Sequence, residues 1–136
     1  MSVKLELKAD QLIKDFDRLT GEIQQAMIDE LRVTGFMIES AYKIGVPVDT
    51  GRLRSSIHTE TANKRAHSYS NNKGETFVSR FSFEKLQKTQ VVVGTNVVYA
   101  NKIEYQGGKT KGKGALLTAF EAETKGLPQR LAELIK

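Results

Sequence analysis

The chain has 136 residues, no cysteine and two histidines. That length fits one domain, 1–136, able to bury its own core, and the composition excludes disulfides and thiolate metal sites. Apolar residues make up 39% and charged residues 27%, both near the globular norm, which argues against wholesale disorder. Net charge is +5, unevenly spread: residues 1–46 carry −2 and residues 47–114 carry +7. A basic middle third suits an acidic protein surface or a nucleic acid, and equally suits a solvated lysine-rich loop region. No apolar run approaches the roughly 20 residues of a membrane span. The opening MSVKLELKAD alternates apolar and charged residues, unlike a signal peptide. Folding in a reducing cytoplasm is expected.

Residues 2–8 alternate as a short strand, with Val3, Leu5 and Leu7 on one face. Asp10 is a possible N-cap for a first helical segment carrying Leu12, Phe16 and Leu19. Thr20-Gly21-Glu22 marks a break, with Thr20 as a fresh cap. A long helix then carries two apolar stripes. One holds Ile23, Met27, Thr34, Ile38 and Ala41; the other holds Ile28, Leu31, Gly35 and Tyr42. So broad an apolar face predicts packing on more than one neighbour, such as a sheet plus another subunit. Gly45 suits a C-cap and Pro47 ends the helix.

Residues 49–56 predict a helical turn capped by Asp49 or Thr50, with a strand over Ser56–Thr61. Ala62–Glu75 is polar and predicts a mobile loop or hairpin tip, near 62–76. Thr76–Phe83 is a strand, and Gln90–Val93 is the strongest strand signal in the chain. Val98–Tyr105 predicts a short helix. Gly107–Gly114, GGKTKGKG, predicts a flexible basic loop. Ala115–Ile135 is a final helix interrupted at Pro128. The sum is an α+β domain: a long N-terminal helix and a C-terminal helix packed on a small antiparallel sheet, read as a meander.

Chemistry-bearing patterns are few. Asp49-Thr50-Gly51 matches the triplet of retroviral-type aspartic proteases, and Val91-Val92-Val93-Gly94 matches their apolar-apolar-Gly element. That chemistry needs two carboxylates sharing a proton. Arg52 and Arg54 follow at once and favour full ionisation. The triplet also follows a helix and Pro47, whereas the protease triplet follows a buried strand. Capping of the next turn explains Asp49 and Thr50 better. His58 and His67 flank no nucleophile pair, and Ser55, Ser56, Ser68 and Ser70 read as surface residues. The glycines of 107–114 lack phosphate-loop spacing. Glu104 reads as a packed edge residue. No cofactor, metal or catalytic set emerges.

Arg52, Arg54, Lys64, Arg65, Lys109, Lys111 and Lys113 can meet phosphates, and Tyr69, Phe77 and Phe81 lie near enough in sequence to stack on bases. A nucleic-acid-binding module is therefore the alternative function.

The segment VPVDTGRLRSSI, Val46–Ile57, resembles a signature of the tail-component family typified by the head–tail joining proteins of lambda-like siphophages. Val93-Gly94-Thr95, Tyr99-Ala100 and Ile103-Glu104-Tyr105 follow in the family's order. The signature positions are Pro47, Asp49, Thr50, Gly51, Leu53, Ile57, Gly94, Tyr99 and Glu104. Three features depart from the pattern. Gln106 separates Tyr105 from Gly107, Gly114-Ala115-Leu116-Leu117 stands where Pro-Phe is usual, and Ala62–Lys88 is longer than usual.

The resemblance implies a non-enzymatic virion protein of the neck or upper tail. Its partners would be its own copies, in a ring of six, with the head connector and tail-tube or tail-terminator proteins, and DNA in the channel. No membrane partner is implied. Arg52, Arg54, Lys109, Lys111 and Lys113 become the expected partner or DNA contacts. Leu53 and Ile57 are expected to point inward, with Arg52 and Arg54 outward.

Overall fold

A computed structural model describes residues 2–6, 16–46, 51–71, 73–81, 85–106 and 114–135. The first helical segment around Asp10 and Leu12 lies largely outside them, as do Pro47, Asp49, Thr50, Lys109, Lys111 and Lys113. The described elements include strands β1 (Ser2–Glu6), β2 (His58–Glu60), β3 (His67–Ser70), β4 (Thr76–Ser79) and β5 (Gln90–Gly94). The helices are α1 (Gly21–Gly45), α2 (Arg52–Ser56), α3 (Ala100–Gln106), α4 (Ala115–Thr124) and α5 (Leu127–Glu133). The architecture is α+β, with long α1 and the C-terminal helices laid on a small antiparallel sheet.

Helix α1 starts where the sequence provides a cap: the Thr20 hydroxyl accepts a hydrogen bond from the Ile23 amide at 3.3 Å, satisfying one orphan donor. Both predicted stripes are absorbed by the chain's own core. Met27, Ile28, Leu31, Thr34, Gly35, Ile38 and Tyr42 are buried, and Ile23 and Ala41 pack at the core's edge. The helix end differs from expectation. Gly45 is the last helical residue, and Val46 leaves it in an extended conformation (φ −96°, ψ 155°). Gly45 is thus no left-handed cap. Its value is space, because a Cβ there would stand 3.0 Å from Cβ of Ala115.

The main sheet runs in the order β1-β5-β2, both pairings antiparallel. The predicted meander is therefore wrong: β5 inserts between the first two strands. Strands β3 and β4 form a separate two-stranded sheet, with Tyr69 opposite Phe77. Strand β3 lies inside the stretch read as a mobile loop or hairpin tip, and it pairs antiparallel with β4, Ser70 standing opposite Thr76. Its residues alternate poorly in hydropathy, and its stability comes from ring stacking described below.

Alternation assigns the sheet's faces. Val91 and Val93 face α1, where Gly35 allows close approach; a Cβ on Gly35 would meet Val91 Cγ1 at 2.6 Å. His58, Glu60 and Val92 face the other way and are buried as well. Residues of the β3–β4 segment supply that second cover. The core gathers Met27, Leu31, Ile38 and Tyr42 of α1 with Leu53, Ile57, Val91, Val93, Val97, Leu116, Leu127 and Leu131. Pro128 sits in the first turn of α5, so the predicted interruption falls between α4 and α5, where a missing N–H costs little. Arg130 then ties α5 to α1 through Glu30 and through the Thr34 hydroxyl at 3.1 Å.

Candidate functional site

In the described part of the signature segment, residues 46 and 51–57, the short helix α2 makes a corner ahead of β2. Gly51 takes the N-cap position of α2 with φ 73°, a left-handed conformation that a Cβ disfavours. The expected cap by Asp49 or Thr50 lies outside the described residues. Leu53 and Ile57 are 3% and 0% exposed. The two arginines do not simply face outward. Arg54 Nε donates to the carbonyl of Lys43 at 3.0 Å, satisfying a free acceptor in the last turn of α1. The Arg52 guanidinium lies 4.4 Å from the centre of the Phe77 ring, a cation–π distance. Both cations are used within the fold, which weakens them as DNA contacts.

Ser56, read as a surface residue, is fully buried. Its hydroxyl donates to the carbonyl of Leu53 at 2.6 Å and meets the Thr95 hydroxyl. Thr95 Oγ1 also accepts from the amide of Val97 at 3.1 Å. This pairing links the end of the corner to the turn that follows Gly94.

Beyond the corner, β2 carries the most polar part of the interior. The Glu60 carboxylate is fully buried. It accepts from Arg65 Nε at 2.8 Å and from the amide of Phe81 at 2.8 Å, and meets His58 Nε2 at 2.8 Å. The other His58 nitrogen faces the carbonyl of Ser56 at 2.9 Å. A buried carboxylate needs such partners, because an unpaired one costs several kcal/mol or shifts to its neutral form.

The rings above this cluster stack in sequence. Phe81 lies on His58 (4.5 Å), His58 on His67 (4.9 Å), His67 on Tyr69 (5.9 Å) and Tyr69 on Phe77 (5.3 Å). Arg52 closes the far end. Tyr69, Phe77 and Phe81, considered for base stacking, are therefore occupied with one another and with the histidines. Among the described residues no group of three His, Cys, Asp or Glu side chains is placed to hold a metal ion.

Glu104 has a defined task that sequence reading missed. Its carboxylate accepts from the amides of Leu116 at 2.9 Å and Leu117 at 3.2 Å, while its carbonyl accepts from Gly114 at 2.9 Å. Gly114, at φ 70°, offers no side-chain cap to α4. Glu104 supplies one from α3 and places a negative charge at a helix N-terminus, where the macrodipole favours it. Burial, reinforced by the Glu104 charge, pushes the Tyr42 phenol well above its ordinary value. Gly94 pairs with Ser2 and His58 in the sheet, and Tyr99 stands half-exposed at the start of α3.

One face of α1 is left uncovered. Val33, Phe36, Met37 and Ile44 are 50%, 46%, 43% and 70% exposed and line an open groove of about 430 Å³. Their spacing of three, four and seven residues was legible in the sequence as a third apolar stripe. The two stripes read from the sequence are those that the core takes, and this third one stays outside.

The described residues thus present a packed polar corner and an exposed apolar face of α1. No helix there is long and apolar enough to cross a membrane. Neither the curated proteins nor the solved structures contain a match to this chain. The profile of the bacteriophage HK97-gp10-like tail-component family matches residues 10–105. That span covers the corner, the buried Glu60 cluster, strand β5 and helix α3. The chain belongs to the HK97-gp10-like family of bacteriophage tail components.

Proposed function

We propose that this tail component is a structural ring subunit at the head–tail neck or upper tail end, joining the tail to the head connector. The family match carries the reading. Two physical features agree with it. Buried polar groups are spent on positioning backbone and helices, and an apolar face of α1 is left for a neighbour. Monomeric proteins seldom expose a large contiguous apolar patch.

In this reading the protein acts by adhesion and symmetry matching, with its own copies, the connector and tail-tube or tail-terminator proteins as partners, in the virion. It performs no hydrolysis. Electron microscopy of particles made without this protein tests the idea: separate heads and tails are expected. Intact, infectious head–tail assemblies would refute it, as would peptide hydrolysis by the purified chain that disappears in Asp49→Asn.

The nucleic-acid reading keeps one supporting observation. Lys64, Lys73, Arg80, Lys85 and Lys88 are exposed along and beside the β3–β4 sheet. Phosphate contact by these side chains would make binding weaken steeply with salt, with a log–log slope of about −0.9 per contacted phosphate. A flat salt response in a duplex-binding titration would remove it.

A further inference from the structure

Two uncovered apolar surfaces differ in form and in charge. The first is the α1 groove, with Val33, Phe36, Met37 and Ile44 along it and the Glu123 carboxylate of α4 in its wall. The second is a knob around α3. Val98 is 89% exposed, Tyr105 71% and Tyr99 36%. Lys102 and Tyr105, three residues apart, are neighbours on the surface of α3, both exposed, and Tyr99 immediately precedes that helix. Neither Glu123 nor Lys102 has an ion-pair partner among the described residues.

We propose that the α1 groove of one copy receives the Val98–Tyr105 knob of the next, with Lys102 set against Glu123. The occupant is a second copy because the chain itself carries both halves: an open apolar groove with Glu123 in its lining, and exposed apolar and tyrosine side chains beside an exposed Lys102. Tyrosines that present a large apolar body and a polar tip are the side chains that anchor interfaces. The two surfaces are different, so the contact is heterologous. Every copy offers one groove and one knob, and such a contact propagates into a ring where its rotation closes. The biological setting rests on the proposed neck role; the contact itself does not.

The absence of native cysteine makes the test direct. Full-length Met37→Cys and Tyr105→Cys chains are prepared separately, mixed at high concentration and oxidised. The contact predicts a disulfide between one chain of each kind. Glu123→Lys or Lys102→Glu, placed in the corresponding cysteine chain, is expected to cut the yield at least about tenfold, and combining the two restores it. Unchanged melting curves for the single charge variants, which lie on the surface, show that the loss is not unfolding.

Mixed cross-linking with charge rescue supports the contact. Cross-linking confined to Met37→Cys pairs means a face-to-face dimer and overturns it, and so does mixed cross-linking indifferent to both charges. No cross-link while rings of the native chain are visible by electron microscopy overturns the contact and leaves the neck role standing. Rescue in solution, alongside particles that join normally without the protein, leaves the contact standing and removes the neck role.

Discussion

Gly35 sits where α1 crosses β5, and the space for a side chain is already filled: Val91 Cγ1 would lie 2.6 Å and Thr59 Cγ2 3.2 Å from an added Cβ. Gly35→Ala is expected to destabilise by about 1–3 kcal/mol through overpacking, although alanine is the better helix former. Urea unfolding measures this, and an unchanged midpoint would show that α1 shifts freely on the sheet. Glu104 stands at the other extreme, a charge whose two oxygens each receive a backbone amide of α4. Glu104→Ala removes the cap and is expected to cost about 2 kcal/mol. Tyr42 gives a pH signature. Its folded-state phenol is raised by burial and then by Glu104, so the native state holds the proton more tightly than the unfolded chain. The stability this contributes is fully present below the unfolded value of 10.0 and is lost progressively as pH rises above it. In Tyr42→Phe this alkaline loss should flatten, as thermal melts between neutral pH and pH 11 would reveal.

The β3–β4 sheet is held to the rest of the fold by a different balance of forces from α1. Helix α1 is fixed by apolar burial, whereas the small sheet is attached through stacked rings and the hydrogen-bonded Glu60. A two-stranded sheet alone is at best marginally stable in water. Glu60→Gln weakens the bonds to Arg65 and His58 while keeping the shape. Amide hydrogen exchange across residues 67–79 should then accelerate by about tenfold or more, with the buried face of α1 remaining protected. Uniform acceleration through both regions would mean that the small sheet and the core unfold as one unit. The C-terminal pair behaves as a clamp: α4 is capped by Glu104, and α5 is tied to α1 by Arg130.

For the whole molecule, the distinction that governs function is between the faces of α1. Met27 is fully buried and Phe36 is 46% exposed. Met27→Ala should therefore cost about 2–5 kcal/mol. Phe36→Ser should change the stability of the isolated chain by about 0.5 kcal/mol or less. In the assembled tail the order reverses if the face is a contact: Phe36→Ser folds normally and fails to enter particles. Incorporation at the native level would mark this face as solvent-exposed in the virion.

Periodicity alone specified the long α1, its Thr20 cap, the strand at Gln90–Val93, the short α3 and the break at Pro128, since each depends on neighbours within a few residues. The family was legible by another route, the resemblance of Val46–Ile57 and of the later Gly94, Tyr99 and Glu104, in that order, to its motifs. Contacts between distant residues were another matter. Whether β5 joins a meander or enters between β1 and β2 depends on which strands meet, and alternation is the same in either arrangement. The two stripes of α1 read from the sequence are the two that the core buries, and only the packing decided that Val33, Phe36, Met37 and Ile44 stay exposed. Arg65 was read as a phosphate contact, while His58 and Glu60 lay in a predicted strand with no chemistry assigned to them. The fold turned them into a buried network, because a charge is tolerated inside a protein when opposite groups arrive from elsewhere in the chain to meet it.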